Sequence, residues 1–144
     1  MIKIAHRGNI AGISEYENSP DYIDETLLKG YEVEIDVWFH KDGLWLGHNS
    51  PSYMTDYDWI QQRADRLWCH AKNFEALDYL LGFPRINCFW HQEDNYTVTS
   101  KGFIWAYPGW EGSDIRTIAV KPNGTLKLNE FHGVCTDDFS KLEI

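Results

Sequence analysis

Glu32-Val33-Glu34-Ile35-Asp36-Val37 alternates acid and aliphatic residue without a break. Successive side chains of a strand point to opposite faces, so the three carboxylates share one face and the three aliphatic side chains the other. Two settings accommodate the pattern. In an antiparallel sheet with one wet face the acids simply point at water. In a parallel sheet both faces are covered, and like charges on a buried face require a cation, most simply a hard divalent ion held by oxygen ligands. What flanks the strand decides between the two.

Runs rich in β-branched and aromatic residues recur on both sides, at 2–5, 33–39, 44–47, 67–71, 86–90, 103–106, 117–120 and 133–135, each bounded by Gly, Pro, Asn or Asp, and each predicts a strand. Ser19-Pro20 supplies the cap and first residue of a helix that Gly30 stops. Asp56 to Arg63 and Asn73 to Leu81 predict two more helices, the second closed by Gly82 and Pro84. Strand, helix, strand, a hairpin-like excursion at Lys41-Asp42-Gly43, then helix, strand, helix, strand predicts βα units around a parallel sheet. After residue 90 the helical pattern stops. The spacers 91–102, 107–116 and 121–132 are short and rich in Gly, Pro, Asn and charge, whereas a parallel crossover takes about a dozen residues or more. The second half is therefore expected to be stripped down or partly antiparallel.

The 144 residues suit one domain, spanning 1–144, and 43% hydrophobic residues are enough to build a core. The net charge of −9 disfavours a nonspecific grip on nucleic acid, which needs a surplus of Lys and Arg. A small phosphate ester remains compatible if a metal ion supplies the positive charge. Cys69, Cys88 and Cys135 are odd in number and lack CxxC spacing, which predicts buried thiols and neither a disulfide framework nor a cysteine zinc cage. No leader pattern and no apolar run of transmembrane length is present, so a cytoplasmic protein is expected.

His6 and Arg7 directly follow the first strand, and His48 follows the strand ending in Leu46-Gly47. In α/β barrels that end of the sheet carries the active site. His91 also follows a strand and is a further candidate. Trp38 shares parity with Glu34 and Asp36 and is expected to point at the same mouth. Phe103, Trp105, Tyr107, Trp110, Trp45, Trp68 and Trp90 are expected to be mostly core, because each aromatic side chain buries a large area.

These residues occur in an order that resembles a known family. His6-Arg7-Gly8, Glu17-Asn18-Ser19, Glu34-Ile35-Asp36-Val37, Lys41-Asp42-Gly43 and His48 resemble the glycerophosphodiester phosphodiesterase family, within the phosphoinositide-phospholipase-C-like superfamily, with weaker echoes at Leu67 to Lys72 and at Gly133 to Asp137. The resemblance implies a reduced TIM-type (β/α) barrel, α/β in class, with shortened or missing helices in its second half. It implies that Glu34 and Asp36 hold a divalent cation, Mg²⁺ or Ca²⁺, and that His6 and His48 are an acid/base pair. Arg7 and Lys72 would contact the phosphate, with Glu17 and Asn18 in support. Attack by a neighbouring substrate hydroxyl, giving a cyclic phosphate, is the family's usual course. His70 stands where the family has a glutamate ligand, and as a ligand it would shift preference toward Mn²⁺ or Zn²⁺. A barrel stripped of helices exposes apolar strand faces that a homodimer could cover.

Overall fold

In the computed structural model, residues 1–107, 115–122 and 128–142 are described. The described strands are β1 (Ile2–His6), β2 (Glu32–His40), β3 (Gly43–Leu46), β4 (Tyr53–Thr55), β5 (Leu67–Ala71), β6 (Asn87–Phe89), β7 (Tyr96–Val98), β8 (Ile104–Ala106), β9 (Thr117–Val120) and β10 (Gly133–Thr136). The helices are α1 (Pro20–Leu28), α2 (Tyr57–Gln62) and α3 (Phe74–Leu81). The predicted cap at Ser19 is realised, and the first residues of the other two predicted helices also cap them, the side chains of Ser19, Asp56 and Asn73 accepting from the backbone N–H of Tyr22, Trp59 and Ala76.

All ten strands belong to one sheet, whose parallel part runs β6-β5-β2-β1-β10-β9-β8. The sheet curls. β6 and β8 stand at opposite ends of that row, yet Phe89 and Trp105 pack with ring centroids 4.7 Å apart. The curl does not close into the expected TIM-type barrel. β6 and β8 form no ladder among the described residues, and β7 pairs antiparallel with β8 on its free edge. The Thr97 hydroxyl donates to the Trp90 carbonyl and the Ser100 N–H to the Cys88 carbonyl, both at 2.7 Å, so this segment bridges the gap. The chain between β6 and β8 returns as a strand instead of a helix. Among the described residues no α-helix follows α3. The outcome is a ten-stranded half-barrel with few helices.

Alternation sorts the side chains into two compartments. Outward residues Ala5, Val33, Ile35, Val37, Leu67, Cys69, Ala71 and Cys88 pack against Ile23, Leu27, Ile60, Ala76 and Leu80 from the helices. On the helix-free side, Leu128 and Phe131 cover Ala119 and Val134. Inward residues Ile4, Trp68, Phe89, Trp105, Ile118, Val120 and Cys135 fill the half-barrel from six strands. Trp68 and Trp105 are thus core as expected, whereas Trp110 lies outside the described residues. All three cysteines are free and buried. No described helix is long and apolar enough to cross a membrane.

The adjacent positions Lys3 and Ile4 test the curl directly. Ile4→Ala should cost about 2–5 kcal/mol in urea unfolding, because it leaves a cavity among the inward residues of neighbouring strands. Lys3→Ala, on the exposed side, should stay within about 0.5 kcal/mol.

Candidate functional site

The inward rows turn polar at the carboxyl ends of the parallel strands. Two positions beyond Ile4 stands His6, beyond Trp68 stands His70, beyond Phe89 stands His91 and beyond Cys135 stands Asp137. β2 contributes Glu34 and Asp36, which are 2% and 1% exposed. The parallel setting is therefore the one realised, and these two acids are charges inside the molecule. Glu32 shares their face but lies two residues below Glu34 and four below Asp36, roughly 13 Å along the strand from the latter, where its carboxylate accepts from the Trp68 indole at 2.9 Å.

Asp36 is the better provided of the pair. Its Oδ2 accepts from the Asn18 amide at 2.9 Å, and its own N–H donates to Asn18 Oδ1 at 3.0 Å. His70 Nδ1 lies 3.2 Å from Asp36 Oδ1 and 3.7 Å from Glu34 Oε2. Arg7 Nε is 3.2 Å from Asp36 Oδ2, an ion pair whose N–H is not aligned as a hydrogen bond. Burial pushes the Asp36 carboxyl up, but His48, His70 and Asn18 together hold it well below the ordinary carboxylate range. His48 Nδ1 stands 3.7 Å away, beyond a hydrogen bond, so His70 and Asn18 are the closer partners. Glu34 is less complete: its Oε1 is buried and accepts no hydrogen bond.

One oxygen or nitrogen from each of Glu34, Asp36 and His70 lies within 4.8 Å of the others. The donor set suits a divalent ion on two further grounds. The orphaned Glu34 Oε1 is shielded from water and calls for a cation. His70 Nε2 stands 3.0 Å from the His91 carbonyl, which only accepts. Nε2 therefore carries the hydrogen, and in the neutral ring the lone pair sits on Nδ1, facing the two acids, the tautomer a ligand needs. One nitrogen with two carboxylates is compatible with Mn²⁺ or Zn²⁺ as well as with Mg²⁺.

His6 is oriented the other way round. Its Nδ1 donates to Asp137 Oδ1 at 2.8 Å, leaving Nε2 as the acceptor 3.9 Å from Glu34 Oε1. Asp137 is held in turn by Asn9 at 2.9 Å and Lys121 at 3.4 Å. Burial pushes the Asp137 carboxyl up, but His6, Asn9 and Lys121 outweigh it and keep it below the ordinary range. Asn9 is wholly buried and donates to Glu17 as well, and Glu17 accepts from Arg7 at 3.2 Å. Arg7 also donates to His48 Nε2 at 3.2 Å. The loops that deliver these groups are bent: Arg7 and Asn18 have φ of 57° and 68°, a conformation other than glycine rarely adopts. Gly47 admits no side chain, since a Cβ there would fall 2.0 Å from the Ser50 carbonyl oxygen, and this tight turn places His48.

His6, Arg7, Glu34, His48, His70, Lys72 and His91, all expected at the site, border a single cavity of about 230 Å³. Asp36, Asn18 and Glu17 stand behind it as supports. Trp38 is the exception. The end of β2 beyond Asp36 leaves the half-barrel to pair with β3, Trp38 opposite Trp45, so its indole turns to the Gly47 carbonyl at 2.7 Å and steadies the His48 loop from outside the cavity. Asp137, Asn9 and Lys121 were not among the expected site residues. The signals for Asp137 were its place after a strand and the weaker family echo at Gly133 to Asp137. No protein-family model, curated protein or solved structure matches the chain.

Acids raise the His70 imidazole to about 9 against the opposing effect of burial. Without an ion it is protonated at neutral pH, so an ion must displace that proton. Mn²⁺ affinity measured by calorimetry should rise about tenfold per pH unit from pH 7 toward 9, with about one proton released. His70→Ala should abolish the slope. The ion-free protein should behave oppositely: the stability it gains from protonated His70 is complete below about 6.5, the ordinary imidazole value, and is lost as pH rises through about 9.

Proposed function

We propose that the protein is a metal-assisted phosphodiester hydrolase of the glycerophosphodiesterase-like kind, built on a half-barrel in place of the family's closed barrel. One observation carries the reading. A histidine whose free nitrogen is fixed by a carboxylate, His6 on Asp137, faces the same small cavity as a buried donor trio for a cation and as two cationic side chains, Arg7 and Lys72. A diester is anionic, and its nonbridging oxygens repel a nucleophile until positive charge meets them.

Glu34, Asp36 and His70 would hold the ion. When bound, it supplies Lewis-acid neutralisation of the phosphate and lowers the cost of charge on the reacting oxygens. Arg7 and Lys72 bind the remaining phosphate oxygens. His6 Nε2 takes the proton of the attacking hydroxyl as its oxygen bonds to phosphorus, and Asp137 steadies the imidazolium that results. His48 gives a proton to the leaving oxygen as the old P–O bond breaks. That role requires Arg7 to swing from His48 Nε2 to the phosphate, so binding and activation of the acid are linked. A cavity of about 230 Å³ suits a small ester.

A second reading, a phosphate-ester binder without turnover, is favoured by the same contact, since Arg7 covers the nitrogen on which His48 would carry its proton. Bis-p-nitrophenyl phosphate and glycerophosphodiesters, assayed with Mg²⁺, Ca²⁺, Mn²⁺ and Zn²⁺, separate the two. Hydrolysis is expected, and metal-dependent binding without product would select the binder. His6→Ala should lower kcat by about 10²–10⁴ while leaving Mn²⁺ bound. Glu34→Gln should lose both metal and activity, and Lys72→Met should act mainly on KM.

A further inference from the structure

His91 ends the inward row of β6 and is 7% exposed. Its Nδ1 lies 2.9 Å from the Gln92 carbonyl, which only accepts. Nδ1 therefore carries the hydrogen, and Nε2 is left with a lone pair. That nitrogen is buried and has no partner, a desolvated acceptor of the sort native structures rarely leave unexplained. It is not in the donor trio, whose atoms come from Glu34, Asp36 and His70. What it lacks is a hydrogen-bond donor.

The cavity beside it narrows the identity of that donor. Trp105 and Tyr107 form aromatic walls there, and Lys72 and Arg7 border the same space. A phosphodiester has only acceptor oxygens at neutral pH, so a donor supplied by the substrate has to come from its organic group. An ammonium would be repelled by Lys72 and Arg7, so a neutral donor fits better, and a hydroxyl is the neutral donor that accompanies ring C–H faces. Tyr107, which packs on His91 at 4.6 Å and is 41% exposed, is the side chain whose turning would admit it. Aromatic walls also suit the apolar C–H faces of a sugar ring.

We propose that His91 is a specificity-determining residue that accepts a hydrogen bond from a hydroxyl of the substrate's organic group, and that the substrate is accordingly a diester of a sugar-type alcohol. This rests on the hydrolase reading above. The test compares two p-nitrophenyl phosphodiesters of similar bulk and the same leaving group, one of methyl glucoside esterified at its primary hydroxyl and one of cyclohexylmethanol. With Mn²⁺, the wild-type protein should favour the glucoside by about tenfold or more in kcat/KM. The ratio should fall to near one in His91→Phe, which keeps a ring without an acceptor, and recover in part in His91→Gln, which restores one. A ratio near one in the wild type overturns the inference, whether or not the variants fold. So does a ratio unchanged by His91→Phe, or a tenfold loss of Mn²⁺ affinity in that variant, which would make His91 a ligand. If neither ester is cleaved, the hydrolase reading fails instead. The same ratio is then read from the Kd values of the two intact esters by calorimetry, with the same outcomes deciding.

Discussion

Two carboxylates almost without access to water, Glu34 and Asp36, are the constraint around which the first half of the chain is organised. Burying a charge is costly unless partners replace the lost solvent. For Asp36 the replacements come from four separate segments: the Asn18 amide, the His70 ring, the Arg7 guanidinium and, at longer range, His48. The left-handed backbone at Arg7 and Asn18 follows from that demand, because the loop after β1 must fold back so that the Arg7 N–H reaches the Glu34 carbonyl and Asn18 reaches Asp36. Protein groups alone leave the demand unmet at Glu34 Oε1. The orphaned oxygen belongs to the cluster that could take a cation.

The curl of the sheet gives this constraint its position. Alternation fixes which residues face inward, and the curl makes inward residues of distant strands neighbours. Phe89 is stacked beneath the His70 ring at 5.2 Å and packs on Trp105, so the apolar layer of the half-barrel is also the floor of the polar one. Closure is not needed for this. A half-barrel with its gap bridged by β7 still brings β1, β2, β5, β6 and β10 to one mouth, and these strands and the loops after them supply the groups to which the proposed roles are given.

Most of this was legible in local pattern. Helix caps, strand runs and the acid alternation are short-range signals, and they placed the three helices and eight of the strands. Glu34 and Asp36 were legible through parity, given a parallel sheet, and His70 only through the family resemblance at Leu67 to Lys72. β4 and β7 were not, being three-residue strands in polar surroundings with no periodicity to read. Openness was not legible either, because it depends on which distant edges find each other. Asp137 and Asn9 escaped for a related reason. They are remote from each other in sequence, and only the β1–β10 pairing makes them partners. Trp38 was misplaced because parity predicts direction only while a strand keeps its neighbours, and β2 changes from β1 to β3 along its length.

The net charge of the chain and the cationic side chains at the mouth, Arg7 and Lys72, have opposite signs, and distance decides which one a ligand feels. A net −9 acts over many ångströms but is screened within a Debye length of about 8–10 Å. A long polyanion must bring many phosphates near that acidic surface at once. A single diester of the proposed kind would instead meet Arg7, Lys72 and any bound cation at contact range, where screening is weak and low dielectric strengthens each interaction. The acidic exterior therefore does not oppose the proposed chemistry. It restricts that chemistry to anions small enough to leave the surface field behind before they bind.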